Sequence, residues 1–138
     1  MREILFRGKR IDNGEWVEGF YCQRKEKILG GIKTRHMILV PDADSYSGAR
    51  WIDVNPTTVG QYTGLTDKNG KKIFEGDVVK GFYKPTDKLV CGSVKYENHL
   101  ARMLILNRGV CAGLSHCHHV EVIGNIHDNP ELLEHYGD

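Results

Sequence analysis

Ile4-Leu5-Phe6-Arg7-Gly8-Lys9-Arg10-Ile11, then Asp12-Asn13-Gly14, then Glu15-Trp16-Val17-Glu18-Gly19-Phe20-Tyr21 is the stretch that decides the fold class. Asn-Gly between two runs rich in aromatic and β-branched residues predicts a β-hairpin, because both residues tolerate the positive φ of a two-residue turn. The apolar residues fall on both parities: Ile4 and Phe6 alternate with Leu5 and Ile11, and Trp16 and Phe20 face opposite to Val17 and Tyr21. A surface hairpin of a monomer normally keeps one face polar, so the second face needs a cover, and identical subunits are the commonest cover. Leu5, Ile11, Trp16 and Phe20 are therefore the candidate interface of a homo-oligomer, with a two-fold dimer favoured.

Outward from the hairpin, Ile28-Leu29, Gly30-Gly31 and the run from Ile32 to Val40 predict a second pair of strands around a glycine turn, ending at Pro41. The polar, small residues 41–50 read as an exposed, mobile loop. Trp51-Ile52-Asp53-Val54 is a short strand, and Asn55-Pro56 places a capping residue before a proline suited to a first helical position, predicting one helical turn. The same device at Asn129-Pro130, followed by Glu131-Leu132-Leu133-Glu134-His135-Tyr136, predicts a short C-terminal helix docked by Leu132 or Leu133. Between these turns, Asn69-Gly70 reads as another two-residue hairpin turn with both residues at positive φ. Strands near residues 73–80, 92–96, 101–107 and 120–125, bounded by Gly or Asn, suit a small barrel. The expectation is a mainly β (α+β) chain: residues 1–58 an N-terminal subdomain built on β-hairpins, residues 59–138 a barrel with a short C-terminal helix, both within one compact unit.

A chain of 138 residues is long enough for a core of its own, and 40% hydrophobic with 27% charged residues places it among ordered globular proteins. Nineteen Lys and Arg against eighteen Asp and Glu give a net charge of +1, so no global field draws in nucleic acid or an anionic membrane. Apolar runs fall short of the ~18 residues of a membrane span, and Met1-Arg2-Glu3-Ile4 opens without a signal-peptide apolar block. A cytoplasmic protein without membrane contact is expected. In that reducing compartment the four cysteines, Cys22, Cys91, Cys111 and Cys117, are expected to be free thiols.

Cys111, His116, Cys117, His118 and His119 offer sulfur and imidazole donors within nine residues, an alternative metal site. Against it, zinc modules bring together two separated ligand pairs, and consecutive strand residues point to opposite faces. A loop leading into a strand at Val120, with solvated histidines and a buried cysteine, is the plainer reading. Ser115-His116-Cys117 lacks any nucleophile-elbow context, and no phosphate-binding glycine motif is present. Asp53, Asp67, Glu75 and Asp77 sit near turn residues, where carboxylates accept local N–H groups. No catalytic residue and no cofactor is assigned. The first forty residues are basic, with Arg7, Lys9 and Arg10, then Arg24, Lys25, Lys27, Lys33 and Arg35, interleaved with aromatics. Arg7, Lys9, Arg10 and Trp16 are the candidate nucleic-acid contacts, weighed against the solvated face of a strand.

Arg7-Gly8-Lys9-Arg10, residues 13–19, 59–70 and 73–79, and Val120-Glu121-Val122-Ile123-Gly124-Asn125-Ile126-His127-Asp128-Asn129-Pro130-Glu131-Leu132-Leu133 together resemble the YopX family. The resemblance spans nearly the whole chain, leaving residues 41–50 and 109–119 outside it. It implies an origin in phages and prophages of bacteria, an N-terminal α+β part and a C-terminal SH3-like barrel, and it brings no established biochemical activity with it. The expected function is thus a non-enzymatic phage or prophage accessory protein, a binding or assembly module acting on a host or phage macromolecule in the bacterial cytoplasm. A nucleic-acid-binding protein using the basic N-terminal region is the alternative, and a metal-dependent enzyme ranks last.

Overall fold

The computed structural model describes residues 1–136, with side chains described through Leu133. It is mainly β, with two antiparallel sheets and one short helix. The chain separates into two compact units, Met1–Tyr62 and Thr63 onward, each with its own apolar cluster.

In the first unit, β1 (Phe6–Lys9) and β2 (Trp16–Ile28) pair antiparallel from Phe6↔Gly19 to Lys9↔Trp16. The hairpin is as expected, but its turn is not. Arg10 N–H donates to the Glu15 carbonyl at 2.8 Å, so residues 11–14 form the connection. Gly14 has φ +73°, while Asn13 is not among the positive-φ residues. The reason is local: the Asn13 side-chain oxygen accepts the Glu15 amide at 2.9 Å, which stabilises a longer loop needing left-handed backbone only at glycine.

β3 (Gly31–Pro41) follows β2 around Gly30 and pairs with it from Phe20↔Leu39 out to Ile28↔Gly31. β4 (Ala49–Asp53) pairs with β3 from Met37↔Asp53 to Pro41↔Ala49. The expected loop at 41–50 is therefore shorter, with both ends drawn into strands. Its turn is closed by Asp42 N–H to the Gly48 carbonyl at 2.9 Å and by Ser45 Oγ to the Ala49 carbonyl at 2.8 Å. A 3₁₀ turn at Pro56–Thr58 is capped by Asn55, whose Oδ1 accepts the Thr57 amide at 3.1 Å. β5 (Gly60–Thr66) then pairs with β1 through Gly60 and Gln61.

Register partners share a face, so the sheet sorts its own residues. Val17, Tyr21, Ile38, Val40 and Ile52 lie on one face and, with Val54 and Val59, form the core of the unit. Gly19 is part of this packing, because a Cβ there would run into the Leu39 carbonyl.

The second unit carries β6 (Lys72–Phe74) and a five-stranded sheet. The latter comprises β7 (Asp77–Tyr83), β8 (Lys88–Glu97), β9 (Arg102–Asn107), β10 (Val110–Gly113) and β11 (Cys117–Asn125), ordered β10-β9-β8-β7-β11. Ile73, Val79, Val94, Ile105, Leu114 and Val120 fill its core. Among the described residues the five strands leave β10 and β11 as edges, with no ladder closing them into a barrel.

The turn before β6 repeats the lesson of the first hairpin. Asp67 N–H reaches the Lys71 carbonyl at 2.7 Å, Gly70 has φ +82°, and Asn69 is not at positive φ. This is a three-residue loop, corrected from the expected two, because Asp67 Oδ1 accepts both the Asn69 and the Lys71 amide at 2.9 Å. The segment expected to be a loop before Val120 is instead β10, a 3₁₀ turn at Leu114–His116 and the start of β11. α1 (Glu131–Tyr136) is the short C-terminal helix. Leu132 packs against Gly124, where its Cδ1 stands 2.7 Å from the place of an absent Cβ. Asn129 turns its Oδ1 back to the Asn125 amide at 3.3 Å, anchoring the helix to the end of β11. No helix among the described residues is long and apolar enough to cross a membrane.

Candidate functional site

β2 and β3 outlast their neighbours. β1 accompanies β2 only over residues 16–19, and β4 accompanies β3 only over residues 37–41. From Arg24↔Arg35 through Lys25↔Thr34, Glu26↔Lys33 and Lys27↔Ile32 to Ile28↔Gly31, the two strands have only each other. These five register pairs make a ribbon roughly 17 Å long at ~3.4 Å per residue. Only Glu26 and Arg35 in it are partly buried; every other residue from 24 to 34 is exposed.

Pairing sorts the ribbon's charges. Glu26 Oε1 takes Arg35 at 3.2 Å and Arg24 at 3.8 Å, and Arg35 forks onto Asp53 with contacts of 2.9 and 3.0 Å. These carboxylates raise the pKa of Arg35, Asp53 first and Glu26 next. Arg35 thus braces the base of the ribbon, while Arg24, 67% exposed, adds little through its long contact. Lys25 and Lys27 lie on the opposite face, beside Thr34 and Ile32, and Lys33 lies beside Glu26. The tip is apolar, with Ile28 51%, Leu29 104% and Ile32 67% exposed.

The face of the first unit opposite its core carries the other expected contact residues. Arg7 stands opposite Glu18, and Lys9 opposite Trp16. The Arg7 guanidinium lies 4.6 Å from the Trp16 ring centre and Lys9 Nζ 5.5 Å from it, so three of the four candidate nucleic-acid residues are gathered on one another. Arg7 is only 9% exposed. Arg10, the fourth, forks onto Asp12 at 2.9 and 2.7 Å. Of the candidate interface residues, Phe20 (62%) and Ile11 (67%) are exposed, while Leu5 and Trp16 are half-buried. Phe20, Leu39 and Trp51 face one another directly across three strands, an apolar rung that sequence reasoning missed because it needs the register of β4.

In the second unit the Cys/His run is spread out. Cys111 is exposed on β10, His116 ends the 3₁₀ turn against Gly113, and Cys117 is buried with its Sγ 3.5 Å from the Gly113 carbonyl. His118 Nε2 lies 2.8 Å from Asp87 Oδ1, and its ring centre is 4.8 Å from that of His119, which has φ +52° at a bulge of β11. Among the described residues no three His, Cys, Asp or Glu side chains converge on a metal position. Burial pushes the thiols of Cys91 and Cys117 up, which holds them protonated and makes them poor ligands and poor nucleophiles. All four cysteines are free.

Of the candidate carboxylates, Asp67 and Asp77 are held by backbone amides, while Asp53 takes the Arg35 guanidinium instead of a turn amide. Asp77 Oδ2 accepts the Phe74 amide at 2.8 Å. Asp67 Oδ2 accepts the Val122 amide at 3.0 Å, besides its two turn amides on Oδ1. Burial would raise the Asp67 pKa, but the amides of Val122, Lys71 and Asn69, with the Lys71 charge, outweigh it and hold the carboxyl below the usual range.

The comparisons with known proteins bear on the whole chain. No curated protein matches it. The family model of the YopX protein matches residues 5–134. That span covers both units, the ribbon and the first turns of sequence from which the hairpins were read, and the chain belongs to the YopX family.

Proposed function

We propose that this protein is a non-enzymatic binding or assembly module of phage or prophage origin, working in the bacterial cytoplasm, and that it grips a macromolecule through the β2–β3 ribbon. The observation that carries this reading is the ribbon's isolation: five register pairs with no third strand and no residue in the core of the first unit. Fixing each backbone residue costs about 1–2 kcal/mol, and an element that buries so little returns little of that to the monomer. A bound partner would return it. The second unit, read as an SH3-like barrel on its five strands and the family resemblance, suits the scaffold role such small β folds serve, an argument by analogy of fold. A second reading, self-association, is favoured by the Phe20–Leu39–Trp51 rung, in which Phe20 and Trp51 are exposed.

The test is capture from lysate of the induced host, comparing the full chain with a variant in which residues 25–34 are replaced by Asn-Gly. The short turn closes β2 onto β3 in the same register sense and leaves the core untouched. A species retained by the full chain and lost by the trimmed one is expected. Identical retained sets would overturn the reading.

A further inference from the structure

We propose that the ribbon is a contact element for double-stranded DNA, with Lys25, Lys27 and Lys33 on phosphates and the Leu29 tip wedged into a groove; this rests on the binding-module reading above. Residues 24–35 hold five basic side chains and one acidic one, a net +4 in a chain whose total is +1, so the rest of the protein sums to −3. The segment that projects for contact is therefore the one that attracts a polyanion, while the remainder repels it.

Within the ribbon Arg35 is already occupied by Glu26 and Asp53, while Arg24 holds Glu26 only at 3.8 Å. Lys25, Lys27 and Lys33 are exposed, and no ion pair engages them among the described residues. Lys25 and Lys27 share a face on which residues 24–35 place no carboxylate, spaced about 6.5–7 Å as alternate strand residues are. A ribbon of two strands, ~4.8 Å apart, is narrow enough for a duplex groove. Its tip leaves Ile28, Leu29 and Ile32 in water with nothing to cover them. Apolar residues on a basic ribbon are the means by which proteins part base steps and kink a duplex.

The same tip chemistry would suit an anionic membrane, since Lys27 and Lys33, each one residue from an apolar tip residue, can reach back to the headgroups. The regular spacing of about 6.5–7 Å between Lys25 and Lys27 on one face favours the duplex, whose phosphates repeat along each strand.

The experiment measures binding of the full chain to a labelled duplex of about 30 base pairs by anisotropy across a salt series, with end-to-end energy transfer reporting bending. Binding that weakens with salt is expected. Lys25→Gln, Lys27→Gln and Lys33→Gln together should cost at least about tenfold at low salt and flatten the slope of log K against log salt by about three, one per lost phosphate contact. Leu29→Ser with Ile32→Ser should leave that slope in place, weaken binding and abolish the bend. Circular dichroism checks that each variant stays folded. Absence of duplex binding, or binding indifferent to the three lysines, overturns the proposal, and an unchanged bend in the tip variant overturns the wedge. Co-sedimentation with phosphatidylglycerol vesicles that the tip variant loses, without duplex binding, would assign the ribbon to membranes instead. If the duplex does not bind yet trimming residues 25–34 still removes a lysate species, the binding-module reading stands and the DNA assignment falls.

Discussion

Asp67→Ala removes one carboxylate and strands three amides, those of Asn69, Lys71 and Val122. The Val122 amide lies in β11, fifty-five residues away along the chain, and losing its acceptor there should cost about 1–3 kcal/mol. The Asn69 and Lys71 amides belong to exposed turn residues that water can reach, so about 0.5–1 kcal/mol each is a fair charge-assisted loss after rehydration. The expected destabilisation at neutral pH is therefore about 3 kcal/mol, with a range of roughly 2–5. Urea unfolding followed by far-UV circular dichroism is the suitable assay, since Trp16 and Trp51 both lie in the first unit and their fluorescence reports on that unit. The pH dependence adds a second check. The folded pKa of Asp67 lies below its ordinary value of 3.8, so its contribution is fully present above that value and is lost as pH falls through the folded one. The gap between wild type and variant should narrow in acid, and Asp67→Asn should fall between them at neutral pH. A difference under about 1 kcal/mol at pH 7, or one that stays constant into acid, would refute the reasoning.

Gly70→Val should destabilise the fold by about 1–3 kcal/mol through backbone strain alone, because the position is at φ +82° with open space around it. Asn69→Ala, by contrast, should leave the urea midpoint nearly unmoved. Gly19→Ala should lower thermal stability by driving a methyl group into the Leu39 carbonyl, and a variant as stable as wild type would show that β2 and β3 can part there at no cost. Thiol labelling of the native protein should modify Cys111 quickly and spare Cys91 and Cys117 until urea is added; early modification of the buried pair would contradict their burial. Light scattering at micromolar concentration should give a mass above that of one 15.6 kDa chain, reverting to one chain when Phe20→Glu and Trp51→Glu are combined. A wild-type mass of a single chain would remove the self-association reading.

What the sequence made legible was local. Asn13-Gly14 and Gly30-Gly31 announce turns because turn chemistry resides in the residues that make the turn, and the β-branched runs beside them follow. The detail of those turns escaped, since Asn13 and Asp67 supply side-chain acceptors that favour longer loops than the dipeptide alone suggests. β10 was hidden because Val110-Cys111-Ala112-Gly113 is short and holds a single β-branched residue; its partner β9 decides its state. The ribbon's lysines were visible as charge, but not as a site. Its isolation depends on where β1 and β4 stop, and that is a matter of pairing between segments far apart in the chain. The dispersal of Cys111, His116, Cys117, His118 and His119 likewise turns on the 3₁₀ turn and bulge that aim each side chain separately.

The order β10-β9-β8-β7-β11 puts the first and last strands of that sheet side by side. Four strands can zip as successive hairpins while the ribosome is still at work, but β7 must wait with one edge bare until Asn125 has emerged. At roughly 5–20 residues per second that interval lasts about 2–10 s. Through it, the Val78 and Val79 backbone offers an open template to any neighbouring strand, and the Val122 amide has yet to meet Asp67. Closing this long loop is the expected slow step of folding on topological grounds, and stopped-flow refolding of Val122→Ala would show a matching change in rate if β11 docks in that step. The bare β7 edge is accordingly the expected weak point of the growing chain, and slower translation across β8 to β10 would lengthen its exposure.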